Sequence, residues 1–199
     1  MRVAVSQRVD YIEGRNETRD SVDQKLVKLL LKTNLRPFLV PNVLIAGENL
    51  NENGVRSWLS EMNPEGIVLS GGNKIGSNPD RDATESTLLD FAQQMRIPVL
   101  GICRGMQMMG VWAGVKLKPV TGHVRVQHQL QGIKNRKVNS FHNLSLEKCP
   151  LEFDVLAESE DGCIEAIRHK ELPWEGWMWH PEREVGFSDE DVLGIKNIF

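Results

Sequence analysis

The stretch Ile97-Pro98-Val99-Leu100-Gly101-Ile102-Cys103-Arg104-Gly105-Met106-Gln107 changes character at its centre. Up to Ile102 it is a short apolar run of strand length, and from Arg104 an apolar segment of helical length follows. A buried strand that runs directly into a helix is the repeating unit of a parallel α/β sheet.

Working outward, the preceding segments repeat that alternation. Ala83 to Met95 has helical spacing, and Ile67-Val68-Leu69 reads as a strand that stops at Ser70-Gly71-Gly72. Val55 to Met62 suggests a helix and Pro37-Phe38-Leu39-Val40-Pro41 a short buried strand bracketed by prolines. Val22 to Leu31 carries apolar residues in an i, i+4 rhythm, and Val3-Ala4-Val5 opens the first strand. Between these last two, Gln7 to Arg19 reads as a polar, Arg-rich loop in which Asn16 or Thr18 caps the next helix. The order argues for βαβ units and a mostly parallel sheet.

After Val115 the pattern shortens. Val124 to Leu130, Lys137 to Phe141, Asp154 to Glu158 and Cys163 to Arg168 alternate apolar and polar residues, as short and partly antiparallel strands do. No repeat or linker divides the 199 residues, so a single domain spanning 1–199 is expected.

Hydrophobic residues make up 40% of the chain and charged residues 26%, with net charge -3, the balance of an ordinary globular protein without a basic surface for nucleic acid. The start lacks the apolar core of a signal peptide, and no apolar run reaches membrane-spanning length, so a cytoplasmic protein is expected. Cys103, Cys149 and Cys163 form an odd set with no C-x-x-C pair, which suits free thiols in a reducing compartment.

Cys103 stands between Gly101 and Gly105, two positions away on either side. This mirrors the G-x-S-x-G nucleophile elbow with sulfur in place of oxygen, where a cramped turn leaves no room for larger neighbours. The helix beginning near Arg104 aims its positive end at the sulfur, favouring thiolate. The backbone N–H after Cys103 can form half an oxyanion hole, and Ser70-Gly71-Gly72, at the same sheet edge, can supply the other half. Near the C-terminus, His180 and Glu182 lie two apart in Trp177-Met178-Trp179-His180-Pro181-Glu182. An extended backbone puts both on one side, so Glu182 can orient an imidazole that handles the thiol proton.

Gly101 to Gln107 as G-x-C-x-G-x-Q, the upstream Ser70-Gly71-Gly72 and His180-Pro181-Glu182 together resemble the class I glutamine amidotransferases. The resemblance implies a flavodoxin-like three-layer α/β/α fold and a γ-glutamyl thioester on Cys103. It also implies oxyanion donation from the backbone of Gly72 and Arg104, and a glutamyl site built from Gln107, Ser140, Phe141 and His142. The opening Ser6-Gln7-Arg8-Val9-Asp10 and Arg36 to Pro41 are similar to the hydrolase branch grouped as peptidase family C26. That branch usually ends its first helix in Ala-Gly, where this chain has Thr33-Asn34. Within it, the short chain and Arg-rich first loop look similar to the γ-glutamyl-CDP-amidate hydrolase group.

That resemblance implies a small-molecule γ-glutamyl substrate with an anionic nucleotide leaving group, and neither a cofactor nor an obligatory protein partner. Arg8, Arg15, Arg19 and Lys74 are then candidates to meet the anion, although Asp10, Glu13, Glu17 and Asp20 can equally pair with the arginines. Two other readings stay open. One is a glutaminase subunit feeding ammonia to a separate synthase; the other is a non-catalytic binding module, against which an intact Cys103, His180 and Glu182 argue.

The remaining candidates have plainer readings. Gly71 to Gly76 with Lys74 lacks the ending of a P-loop. Trp174, Trp177 and Trp179 suit packing better than a binding wall. Cys149 and Cys163 read as structural. His123, His128, His142 and His169 contain no i, i+4 pair, and no metal is expected.

Overall fold

The computed structural model describes residues 1–46 and 54–199. In chain order, β1 (Arg2–Val5) is followed by a hairpin of β2 (Arg8–Ile12) and β3 (Glu17–Ser21), then α1 (Gln24–Lys32) and β4 (Arg36–Leu39). A 3₁₀ turn (Asn42–Ala46), α2 (Gly54–Met62), β5 (Gly66–Leu69), α3 (Pro79–Met95), β6 (Val99–Ile102) and α4 (Arg104–Trp112) complete the first half. The second half holds β7 (Leu117–Pro119), β8 (Val124–Gln129), β9 (Gln131–Gly132), β10 (Lys137–Phe141) and β11 (Leu144–Leu146). It continues through β12 (Phe153–Glu158), β13 (Ile164–His169), β14 (Trp174–Trp177), a second 3₁₀ turn (Pro181–Arg183) and α5 (Asp189–Ile198).

The main sheet runs β4-β1-β5-β6-β14-β13-β12-β9. From β4 to β14 its neighbours are parallel, and β13, β12 and β9 extend it antiparallel. Its parallel part has the 2-1-3-4-5 order of a flavodoxin-like sheet, whose chain direction reverses between β1 and β5 and leaves a crevice at their carboxyl ends.

Apolar side chains separate onto the two faces. Leu59, Leu88, Leu89 and Ala92 from α2 and α3 join Met106 and Met109 of α4 on one face. Leu26, Leu29 and Leu30 of α1 join Ile195 of α5 and Trp177 on the other. The three α1 leucines stand at i, i+3 and i+4, and their burial stabilises the packed helix by about 2 kcal/mol each.

Asp23 caps α1 by accepting from the Lys25 amide at 2.8 Å. Asn34 takes the left-handed conformation after the helix (φ 63°), a place where Ala-Gly relatives would use glycine and Asn is the next best residue.

Three expectations need correction. Gln7 to Arg19 is largely a β-hairpin: Asn16 (φ 53°) belongs to its turn and Thr18 to its second strand, so neither caps α1. Its strands lie outside the main sheet and present charged pairs, such as Asp10 opposite Arg19, so apolar alternation never marked them. Second, β4 is an edge strand with Leu39 39% exposed, not a buried one, and the edge accommodates Pro37 without its N–H. Third, the chain from His180 to Glu182 is not extended throughout, because Pro181 starts a 3₁₀ turn.

Candidate active site

Cys103 sits where β6 meets α4, in a strained conformation (φ 50°, ψ −103°) that L residues rarely adopt. Its amide donates to Trp177 O at 2.7 Å, so the turn is anchored to β14. A methyl at Gly105 would stand 2.2 Å from Leu69 O, and one at Gly101 would stand 2.7 Å from the Gly105 carbonyl carbon. The glycines therefore let the first turn of α4 press against both β6 and β5. The amides of that turn have no carbonyl four residues back within the helix and face the sulfur's end of it.

The Ser70-Gly71-Gly72 loop reaches the same edge from β5. The Ser70 amide donates to Ser6 Oγ at 2.9 Å and Ser70 Oγ donates to Ser6 O at 2.7 Å. Arg81 of α3, fully buried, donates to Ser70 O at 2.8 Å and Gly71 O at 2.9 Å while its Nε donates to Glu85 at 3.0 Å. Burial draws the Arg81 guanidinium below its ordinary value against the pull of Glu85. Glu85 also pairs with Arg104, which pairs in turn with Asp82. The Arg104 side chain is thus directed into the α3 interface, leaving its backbone amide at the elbow. Gly72 has φ 118°, and a Cβ there would lie 2.9 Å from Arg8 Cβ.

His180 approaches from beyond β14, 2% exposed. Its Nδ1 bonds Glu182 Oε1 at 2.6 Å, and the imidazole also bonds Cys103. Burial lowers its pKa, but the hydrogen bonds and charges of Cys103 and Glu182 outweigh that and raise it from 6.5 to about 9. Asn139 of β10 fixes the backbone, its amide group donating to His180 O at 2.8 Å and accepting from His180 N at 2.9 Å. Gly71 comes so close that a Cβ there would meet His180 Cε1 at 2.7 Å. The Phe141 ring stands edge-on to His180 at 5.8 Å, and the Arg183 guanidinium lies 4.4 Å over Phe141. A cleft of about 60 Å³ is lined by Arg8, Ser70, Gly71, Gly72, His180 and Arg183 among others.

Gln107, one helical turn after Cys103, donates to Leu144 O at 2.9 Å. The Ser140 hydroxyl donates to His123 O at 2.7 Å and is fully buried, tying β10 to the segment before β8. His142 turns to Glu165 of β13, with Nε2 3.1 Å from Glu165 Oε1.

Of the four cations expected near the leaving group, the structure brings Arg8 to the cleft, where it pairs with Asp10 at 2.8 Å. Arg19 shares that hairpin face and pairs with Glu17. Arg15 is exposed at the hairpin turn, and Lys74 is exposed in the loop after Gly72. Asn139, Arg183 and the Arg81–Glu85–Arg104 network were not legible as site residues. The one usable signal was the Arg81/Glu85 i, i+4 pair on a helix.

The plain reading of the tryptophans holds, since Trp174, Trp177 and Trp179 are all buried and Trp177 stacks on Trp179 at 5.1 Å. Burial raises the Cys149 and Cys163 thiols, which keeps both protonated. His169 packs between Phe153 and Trp174, but His123, His128 and His142 converge on Glu165.

A strained Cys at a strand-to-helix turn, faced by a His–Glu pair on a flavodoxin-like sheet, suits nucleophilic chemistry. The profile of the family Glutamine amidotransferase class-I matches residues 17–197, and the chain belongs to that family. Among particular relatives, it is 34% identical over 134 residues to the gamma-glutamyl-CDP-amidate hydrolase of Campylobacter jejuni, an alignment covering 64% of this chain and 66% of the relative. It is 31% identical over 164 residues to anthranilate synthase component 2 of Thermococcus kodakarensis, covering 74% and 75%. It is 34% identical over 134 residues to a glutamine-hydrolyzing GMP synthase subunit of Methanothrix thermoacetophila, covering 62% and 74%. In fold it is similar to a protein assigned as a GMP synthase subunit from Thermoplasma acidophilum, with TM-score 0.72, 20% identity and coverage of 100% and 92%. No helix among the described residues is long and apolar enough to cross a membrane.

Proposed function

We propose that this class I glutamine amidotransferase is a cytoplasmic, stand-alone hydrolase of a γ-glutamyl amide, with Cys103 as nucleophile, His180 as acid and base, and Glu182 as its orienting carboxylate. The observation that carries the reading is the Cys103–His180–Glu182 relay at the carboxyl edge of the parallel sheet. Cys103 Sγ attacks the γ-carbonyl carbon while the backbone amides of Gly72 and Arg104 receive the oxyanion. The C–N bond breaks as protonated His180 delivers its proton to the leaving nitrogen, leaving a γ-glutamyl thioester. Neutral His180 next takes a proton from water, the hydroxide attacks the thioester, and glutamate departs as the sulfur leaves as thiolate. Gln107 and the backbone of the Ser140-Phe141-His142 segment border the glutamyl end.

The substrate we favour is γ-glutamyl-CDP-amidate, giving cytidine diphosphoramidate. The similarity to the Campylobacter hydrolase supports it, as do Arg8 and Arg183 beside the cleft. The opposite face of the β2–β3 hairpin lines a wider cleft of about 600 Å³ with Asp20 and Asp80, a poor setting for an anion. The second reading, a glutaminase working with a synthase, is supported by the similarity to anthranilate synthase component 2 and to the glutamine-hydrolyzing GMP synthase subunit.

Assaying glutamate release by the purified chain from glutamine and from γ-glutamyl amides of nucleotides separates the two. Hydrolysis of the nucleotide amide without a partner is expected, and glutaminase activity appearing only with a synthase would overturn the hydrolase reading. Cys103→Ala should abolish turnover in a folded protein; undiminished turnover would refute the thioester.

A further inference from the structure

Beside the candidate active site, the β8–β10 hairpin carries a cluster that the hydrolytic reading does not use. His123 precedes β8, His128 lies on it, His142 follows β10, and Glu165 comes from β13 of the main sheet. One ligand atom from each of these four residues lies within 4.8 Å of the other three.

The hydrogen bonds dictate which nitrogens face inward. His142 Nδ1 stands 3.1 Å from Leu144 O, a carbonyl that can only accept, so Nδ1 carries the proton. In the neutral ring Nε2 is then a lone pair, yet it faces Glu165 Oε1 at 3.1 Å. His123 repeats the arrangement. Its Nε2 bonds the Asp161 carboxylate at 2.8 Å, leaving Nδ1 as a lone pair 3.5 Å from Glu165 Oε1.

His123 Nδ1, His128 Nε2 and Glu165 Oε2 are buried with no hydrogen-bond partner, and the His123 and Glu165 side chains are 1% and 0% exposed. Acceptors turned toward one another in a dry interior repel unless a proton or a metal cation lies between them.

We infer that His123, His128, His142 and Glu165 form a binding site for a divalent transition-metal ion, with zinc the best match. Three imidazoles and one carboxylate are a donor set for a four-coordinate zinc site. With ligand bonds of about 2.0–2.1 Å, a tetrahedron spaces its donors by roughly 3.4 Å, so small side-chain movements close this cluster onto an ion. The ligand-orienting partners are already present: a carboxylate behind His123 and a backbone carbonyl behind His142. The four ligands close the shell with protein atoms, which makes the site structural. It pins the hairpin to β13 and so positions Phe141 against His180. Leu144 O, which accepts from His142, also accepts from Gln107 and links the site to that residue.

The test uses the full chain carrying Cys103→Ala, so that zinc bound by the nucleophile cannot be mistaken for this site. Elemental analysis after gel filtration should find about one zinc per chain, and cobalt added to the stripped protein should give the visible absorption of a tetrahedral site. His128→Ala, at the least buried ligand, and the near-isosteric Glu165→Gln should each weaken metal binding at least about tenfold while circular dichroism stays native. Zinc should raise the Tm of the stripped parent chain but not of these variants. Substoichiometric metal with no Tm response, or binding indifferent to both substitutions, would overturn the site and leave a histidine cluster that shares a proton. These readouts do not depend on the hydrolase reaction, so they stand apart from failure of the proposed function.

Discussion

Gly71 and Gly105 differ in what a methyl group would strike. At Gly71 it would meet the His180 ring at 2.7 Å, a side chain that can swing away. At Gly105 it would meet the Leu69 carbonyl at 2.2 Å, which is backbone within a central strand. Gly71→Ala should therefore lower kcat by roughly 10²-fold with little change in Tm, since it displaces the imidazole from Cys103. Gly105→Ala should cost about 3 kcal/mol or more, lowering Tm by roughly 6–12 °C. Equal Tm losses in the two variants would show that the elbow tolerates no distinction between ring and backbone.

His180 adds a pH dependence whose sign follows from its raised pKa. Stability gained from the protonated ring is fully present below the ordinary value of 6.5 and is lost as pH rises through about 9. It amounts to something on the order of 3 kcal/mol. Tm should fall across that window in the parent chain and stay flatter in Glu182→Gln, which removes the carboxylate that helps hold the charge. The same variant should lower kcat by roughly 10²- to 10⁴-fold, because the ring loses its orienting carboxylate. A Tm profile that keeps its full slope in Glu182→Gln would remove Glu182 as a source of the shift.

Among the elements, α3 does two things at once. Its apolar residues Leu88, Leu89 and Ala92 pack into the core, and its first turns carry Arg81 and Glu85 to the Ser70-Gly71-Gly72 loop and to Arg104. Arg81→Ala removes the buried donor of the Ser70 and Gly71 carbonyls and leaves Glu85 to Arg104 and Ser6 alone, so a loss of about 3–5 kcal/mol is expected by denaturant unfolding. Arg81→Lys should restore only part of it, because an ammonium cannot present the fork that reaches Glu85 and both carbonyls. Full rescue by lysine would mean that charge alone suffices.

The sequence showed α3 through its apolar spacing but not this polar end. Apolar periodicity registers which face is buried in the core, whereas a buried ion network joins residues from three separate segments. The β2–β3 hairpin escaped for a related reason: its paired positions carry charges, so no buried face marked a period of two. By contrast Cys103, Gly101 and Gly105 were legible because the elbow's requirements act on adjacent residues. His180 and Glu182 were legible because they are near neighbours, although a 3₁₀ turn brings them together where an extended strand was expected. His123, His128, His142 and Glu165 meet only through the pairing of β8 with β10 and their docking on β13, which no local spacing reveals.

For the whole molecule, the charge balance sets up a test of the leaving group. The chain carries a net charge of -3, so its overall field weakly repels an anionic substrate. At the cleft both signs meet: Arg8 is neutralised in part by Asp10, Arg183 lies over Phe141 and 4.0 Å from Glu182, and Asp23 is also in the lining. Both guanidiniums are half-exposed, where screening is strong and the Debye length shrinks from about 30 Å at 0.01 M salt to about 8 Å at 0.15 M. KM for a γ-glutamyl amide with a diphosphate leaving group should then rise roughly threefold or more over that range, while KM for glutamine, which carries no net charge, stays level. Arg183→Gln should flatten the dependence, and charge reversal at Arg15, exposed at the hairpin tip, should change it least. Parallel salt curves for the two substrates would mean that the cleft does not read the anion, and would leave the choice of leaving group to contacts other than these arginines.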